Sequence, residues 1–337
     1  MTPQMKAAQI KRYSKDVQIH LNSLPIPEIG PSDVLVRVQA AAVNPLDHLI
    51  LTGSIRVIQD YPMPLTLGNE CAGIVERTGA DVTRFKAGDK VYAYLPLAKI
   101  GAFAEYVAVD QRALAFMPED CDFLTASAIP LTGLTAYQAF TEELEAQPGQ
   151  TVLITGGSGS FGEMAVPIAK ALGLRVIVTG NERAKAHLLS IGADRYIDYR
   201  KENYWEVLPE ADHVIDAIGA KEFAHELSVL KKGGRLLSLR TAPNKQYAER
   251  NGFSFFKKWL FAAVGAPYDR KARKQGKEYR FMFVRADGEQ LEKVTRIVEE
   301  RHIRPRISPQ VFHLEQTGEA IRFLSQGHPD GKVVIRL

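Results

Sequence analysis

The chain has 337 residues, 45% hydrophobic and 24% charged, an ordinary globular composition with length for two domains at roughly 150 residues each. Two cysteines, Cys71 and Cys121, exclude a disulfide framework and any zinc lobe needing about four thiolates of its own, and no apolar run reaches the roughly 18 residues of a membrane span. The net charge of +4 conceals one basic stretch, with ten cations against three acids between Lys245 and Phe281, so a uniformly basic nucleic-acid binder is excluded.

Lys6, Lys11, Arg12 and Lys15 open the chain without the apolar core of a signal peptide, which with reduced thiols points to the cytoplasm. Up to about residue 122 the texture is short strands. In 34–43, Val34, Val36, Val38 and Ala40 share one face, with Arg37 and Gln39 opposite, the period of a half-buried strand. Strands are also predicted at 72–77, 90–95 and 103–109, separated by turn signals such as Gly30-Pro31 and Gly88-Asp89. This pattern predicts a small, mostly antiparallel β domain.

From about 123 the texture alternates. Strands are predicted at 151–155, 175–179, 195–199, 213–218 and 235–239, with helices at about 160–172, 182–190 and 220–230. The strands are continuously apolar, as expected when helices cover both sheet faces. The fold class is therefore α/β, with a doubly wound parallel sheet beside the β domain. Residues 281–284 predict a sixth strand. Helices at about 290–301 and 314–324 and the strand KVVIRL close the chain.

Between the 151–155 strand and the following helix lies Gly156-Gly157-Ser158-Gly159-Ser160-Phe161-Gly162. Gly157, Gly159 and Gly162 form the Gly-x-Gly-x-x-Gly pattern of a dinucleotide site. Gly157 is assigned the tight turn, Gly159 the approach of a pyrophosphate, and Gly162 the close packing of helix on strand. Ser158, Ser160 and Phe161 complete the loop, whose helix N-terminus favours an anion. An NAD site usually carries Asp or Glu about 20 residues on. Here Thr179, Gly180 and Asn181 stand there, with Arg183 and Lys185 just beyond. Uncharged residues with nearby cations accommodate a 2′-phosphate, so NADPH is the expected cofactor. Tyr199 is placed towards the adenosine end. Glu182 dissents, and is read as an acid in the first turn of a helix.

The blocks MKAAQI (5–10), AAVNPLDHLILTG (41–53), LGNECAGIVERTGADVTRFKAGDKVYAY (67–94), GAFAEYVAVD (101–110), IPLTGLTAYQA (129–139), the glycine loop, GADRYIDY (192–199) and GKVVI (331–335) stand in this order. Together they resemble the medium-chain dehydrogenase/reductase superfamily, in its zinc-independent quinone oxidoreductase branch. The resemblance implies a GroES-like substrate domain over 1–122 with 285–337, a Rossmann domain over 123–284, and NADPH-dependent reduction of quinones, enones or alkenals. Where zinc-dependent relatives carry a cysteine and a histidine ligand, this chain has Asn44 and Asn69. Neutral amides are poor zinc ligands, so no metal is expected.

Without zinc, hydride suits a carbon that conjugation already makes electrophilic, and ordinary hydrogen-bond donors then stabilise the oxygen. Asn44 is the candidate donor to the carbonyl or the nicotinamide ribose, and Asp47 the anchor of its loop. Thr132 and Thr135 match the family segment beside the nicotinamide, and Phe283 in the 281–284 strand is also placed at the cofactor. That strand is expected at a sheet edge, pairing a homodimer. Residues 253–261 gather Phe253, Phe255, Phe256, Trp259, Leu260 and Phe261 beside Lys257 and Lys258. They read as a pocket wall or dimer contact followed by a solvated basic loop, with contact to anionic lipid as the alternative. Two other functions stay open: an enoyl-thioester reductase, with the basic 270–280 segment binding a phosphorylated carrier, and a weakly catalytic NADPH-binding regulator.

Overall fold

The computed structural model describes residues 3–327 and 329–337. The chain divides into two compact units, Met1–Leu134 with Arg285–Leu337, and Thr135–Val284. The first unit opens with β1 (Gln4–Ile10), β2 (His20–Pro25), β3 (Asp33–Ala42), α1 (Pro45–Leu51), β4 (Leu65–Thr66), β5 (Glu70–Thr78), β6 (Lys90–Tyr94), β7 (Tyr106–Asp110), β8 (Leu114–Phe116), α2 (Phe123–Ser127) and the start of α3 (Pro130–Gln138). β1 pairs antiparallel with β2 and β4. β3 is the spine of the larger sheet and pairs antiparallel with both β5 and β7. Its Val34, Val36, Val38 and Ala40 are buried, while Arg37 and Gln39 are half-buried, as the alternation predicts.

The strand expected from residue 103 begins only at Tyr106. Phe103 instead donates its N–H to the Leu67 carbonyl, and Ala104 bridges to Ala7, so that stretch ties the smaller sheet down before the strand starts. Both cysteines are free and buried. Burial pushes the Cys71 thiol up to about 12 and raises Cys121 as well. They behave as small apolar side chains, as the sequence implies.

The second unit runs β9 (Thr151–Thr155), α4 (Ser160–Ala171), β10 (Arg175–Gly180), α5 (Glu182–Ser190), β11 (Arg195–Asp198), α6 (Tyr204–Val207), β12 (Ala211–Asp216), α7 (Phe223–Ser228), β13 (Leu230–Ser238), α8 (Lys245–Arg250), α9 (Phe255–Lys274) and β14 (Glu278–Phe281). The six strands lie in the order β11-β10-β9-β12-β13-β14, and every pair is parallel. This is the doubly wound order, whose direction reverses beside β9. Val152, Leu153, Ile154, Val214 and Ile215 are fully buried, which explains the uninterrupted apolar runs.

Two expectations are corrected in this unit. The sixth strand is Glu278–Phe281, not 281–284. Its partner β13 ends at Ser238, whose hydroxyl donates to Asp216 and accepts from the Arg240 and Thr241 amides. No ladder remains for residues 282–284, so Phe283 lies beyond the strand, its ring 5.9 Å from that of Phe281. The expected basic loop is the C-terminal half of the 20-residue helix α9. Lys271, Arg273 and Lys274 occupy its last turn, where cations complement the helix dipole.

The chain then returns to the first unit through α10 (Gly288–Glu300), β15 (Phe312–His313), α11 (Thr317–Gln326) and β16 (Val334–Arg336). β16 pairs antiparallel with β3. Leu291, Val294 and Val298 bury one face of α10, and the Tyr92 hydroxyl meets Thr295 at 2.7 Å. Among the described residues no helix is long and apolar enough to cross a membrane.

Candidate active site

In the second unit the glycine loop joins β9 to α4, with Gly159 at the helix N-cap. The residue that turns left-handed is Gly156, at φ +65°. The tight turn assigned to Gly157 belongs there, because only glycine adopts that backbone without strain. Gly157 is glycine for packing, since a Cβ would meet Val178 Cγ1 at 2.6 Å. Gly162 holds the role expected of it: a Cβ would fall 1.8 Å from the Gly157 carbonyl oxygen. Around Gly159 a Cβ would meet no protein atom within 4 Å. The protein's own packing does not require glycine there.

This contrast gives a prediction. Gly162→Ala should destabilise the unit by about 1–3 kcal/mol through backbone overlap. Gly159→Ala should leave the melting temperature unchanged while weakening NADPH roughly tenfold or more, a loss of about 1.4 kcal/mol. Melting curves and cofactor titration of the two variants check it.

At the end of β10, Gly180 is held against Tyr196 and Ser158, where a Cβ would sit 2.3 Å from the Tyr196 hydroxyl. The Tyr196 hydroxyl donates to the Asn181 carbonyl at 2.5 Å, and Asn181 Nδ2 donates to Ser158 Oγ at 3.3 Å. Asn181 Oδ1 is buried and has no partner within the protein. Arg183 and Lys185 are exposed on α5 and make no ion pair among the described residues. Glu182 pairs with Lys201 at 2.6 Å. Tyr199 is 56% exposed, and the Arg200 guanidinium lies 5.7 Å from its ring centroid. Sequence reasoning missed Arg200, although it directly follows the Ile-Asp-Tyr block.

Under the loop lies a pair of buried acids that sequence reasoning also missed. Asp216, at the end of β12, accepts from the Ile218 and Gly219 amides and from Ser238 and Thr241. Glu226 on α7 accepts from Thr155 Oγ1 at 2.6 Å. Burial, then the Asp216 charge, pushes Glu226 up to about 9. The folded chain therefore keeps a proton that the unfolded chain releases near 4.5. Stability from this group is complete below that value and is lost as pH rises towards 9. Glu226→Gln fixes the neutral form and should stabilise the unit at pH 7 by about 3 kcal/mol. Urea unfolding at several pH values should show a flatter profile between 7 and 9 in the variant; an unchanged slope would refute the assignment.

The first unit holds a second buried polar cluster, at the start of α1. Asn44 is its N-cap, and its amide N–H donates to Asp47 Oδ2 at 2.7 Å. Asn44 Nδ2 donates to Glu70 Oε1 at 2.8 Å, and its Oδ1 accepts from Lys332 Nζ at 2.6 Å. Lys332 also pairs with Glu70 at 2.9 Å, both side chains buried. Glu70 Oε2 accepts the Leu131 amide, and Asn69 Nδ2 donates to Asp47 Oδ1 at 2.5 Å. Burial pushes Asp47 up to about 7.

This geometry corrects the role expected of Asn44. Its amide is engaged on both sides inside the unit, so it positions its neighbours and does not offer a free donor. Asp47 anchors the loop, as expected. Thr132, on α3, directs its hydroxyl back to the Ala128 carbonyl at the end of α2, and Thr135, on the same helix, is buried. Lys332 had been legible only as part of the closing GKVVI block.

Two family descriptions match the chain: "Alcohol dehydrogenase GroES-like domain" over residues 30–119 and "Zinc-binding dehydrogenase" over residues 191–335. The chain belongs to the medium-chain dehydrogenase/reductase superfamily, in its quinone oxidoreductase-like branch. It is 31% identical over 342 residues to the 2-methylene-furan-3-one reductase of Solanum lycopersicum, covering 98% of this chain and 79% of that protein. It is 30% identical over 342 residues to the chloroplastic NADPH-dependent alkenal/one oxidoreductase of Arabidopsis thaliana, with the same coverage. The solved quinone oxidoreductase of Coxiella burnetii superposes with a TM-score of 0.83 at 27% identity, covering 99% of this chain and all of that one.

Proposed function

We propose that the protein is an NADPH-dependent reductase that delivers hydride to quinones or α,β-unsaturated carbonyls without zinc. The observation that carries this reading is the end of β10: Thr179, Gly180 and Asn181 stand where an NAD site carries an acid, Asn181 Oδ1 has no partner within the protein, and Arg183 and Lys185 make no ion pair among the described residues. NADPH, when bound, supplies the hydride of its nicotinamide. The second unit holds the dinucleotide, with Gly159 and the α4 N-terminus taking the pyrophosphate. Asn181, Arg183, Lys185, Tyr199 and Arg200 surround the ribose phosphate. The first unit carries the substrate side, and Asn44 and Asp47 fix its loop.

The residues present do not fit a catalytic zinc. Asn44 and Asn69 turn their NH₂ groups towards Glu70 and Asp47. The Lys332 ammonium already lies on Glu70 and Asn44. A metal cation there would meet amide hydrogens and a like charge in place of thiolate and imidazole. A cytoplasmic location agrees with two free, buried thiols. A homodimer formed through the open edge of β14 completes the reading, and light scattering that shows a monomer at micromolar concentration would remove it.

The test follows NADPH oxidation with 1,4-naphthoquinone, a 2-alkenal and crotonyl-thioester in parallel. Turnover of the first two, unaffected by chelator, is expected. Turnover of the thioester alone would make the chain an enoyl-thioester reductase. Tight NADPH binding with no turnover of any would make it a binding protein.

A further inference from the structure

Helix α9 is seated firmly in the second unit, yet presents aromatic side chains to solvent. Its inner face is complete. Phe261 packs edge-on against Phe253 at 5.4 Å and near Tyr247 at 6.1 Å. Gly265 lies so close to Asn244 that a Cβ would meet its Cβ at 2.5 Å. On the outer side Phe255 is 86% exposed, Phe256 69% and Trp259 62%, the three most exposed large apolar side chains among the described residues. Val264, further along the helix, is also exposed. At 100° per residue, Phe255, Phe256, Trp259 and Ala263 fall within about one third of the helix circumference. They form an apolar ridge of about two turns. The rings of Phe255, Phe256 and Trp259 point outward into solvent.

The charge on the same helix is one-sided. Lys257, Lys258, Arg270, Lys271, Arg273 and Lys274 stand against the single acid Asp269, whose carboxylate accepts from Asn244. Lys258, Arg270, Lys271 and Lys274 make no ion pair among the described residues. Continuing along the ridge, the outer face passes from aromatic rings to Arg270 and Lys274.

We propose that α9 docks the protein on an anionic lipid surface, lying in the plane of the headgroups with Phe255, Phe256 and Trp259 inserted. The ridge is convex, so it offers no groove for a peptide. Phenylalanine and tryptophan favour the boundary between headgroups and acyl chains, and lysine stems keep their ammonium groups in the polar layer. The cations add attraction to anionic headgroups. A second copy fits this face poorly, because two-fold pairing of α9 on itself would set two basic helices side by side. The inference concerns a surface separate from the reductase reading, and its test does not depend on turnover.

The test is flotation of the full chain with phosphatidylcholine vesicles, with and without phosphatidylglycerol. Binding to the anionic vesicles should exceed binding to neutral ones at least about tenfold and weaken as salt rises. Phe255→Ser with Phe256→Ser and Trp259→Ser should reduce it at least about tenfold. Arg270→Glu with Lys271→Glu and Lys274→Glu should do the same. Both variants alter only exposed positions and should keep the wild-type melting temperature and NADPH affinity. Wild-type tryptophan emission should shift to the blue with anionic vesicles, and Trp259→Phe should abolish the shift. Failure to bind anionic vesicles, equal binding to neutral ones, or undiminished binding by the serine variant would each overturn the proposal. Self-association of the wild type without vesicles that the serine variant abolishes would assign the face to a second copy instead.

Discussion

Replacing Arg183 and Lys185 together by alanine is expected to weaken NADPH binding about 10²-fold and to leave NADH binding unchanged. A charge-assisted hydrogen bond contributes about 1.5–3 kcal/mol, and each 1.4 kcal/mol is about a decade in affinity. NADH has no 2′-phosphate to lose. The helix adds a finer expectation. Residues two apart on α5 point in nearly opposite directions, so one cation carries most of the loss and the single variants should differ by about a decade. Arg200, beside the Tyr199 ring, is the third cation to remove. Gly180→Asp is a poor reversal, because its Cβ collides with Tyr196 and Ser158. Asn181→Asp instead places an acid at an N-cap that already faces the loop, and should shift preference towards NADH. Cofactor titration decides the matter. Equal loss of both cofactors in the double alanine variant would make these residues structural, and a wild type that prefers NADH would make Glu182 the ribose ligand despite its pairing with Lys201.

The order of elements was legible because it is written in local pattern. The apolar runs of β9, β10 and β12 and the glycine loop between β9 and α4 are each contained in a few consecutive residues. The helical character of 255–274 was not legible. Its outer face carries Phe255, Phe256 and Trp259 in solvent, so the polar-outside pattern that marks a surface helix is missing. The sixth strand was displaced for a tertiary reason. FMFV looks more strand-like than EYRF, but the ladder runs only as far as β13, and that ends where Ser238 turns to Asp216. The site shows the same division. The glycines and the missing acid were visible, whereas the Asn44–Glu70–Lys332 cluster joins residues 288 positions apart in the chain. No local signal connects Lys332 with Asn44. Only the fact that β16 pairs with β3 brings them together.

Lys332→Met is expected to cost the first unit about 3–5 kcal/mol, because it leaves the Glu70 charge buried without its partner. For a unit of this size that is a fall of roughly 6–20 °C in its melting transition. Lys332 is 3% exposed and Glu70 fully buried, so water cannot replace the lost ammonium. The same substitution strips Asn44 Oδ1 of its donor and loosens the amide that holds Glu70. The loss should therefore reach the α1 loop through Asn44 and Asp47 as well. Adding Glu70→Gln to Lys332→Met removes the orphaned charge while keeping an acceptor for the Leu131 amide. The double variant should then be more stable than Lys332→Met alone, recovering at least about half of the deficit. NADPH binding to the glycine loop of the second unit should be retained in both, which separates this effect from loss of the cofactor site. A Lys332→Met protein that melts within about 1 kcal/mol of wild type would show the pair to be no more than a surface-strength ion pair.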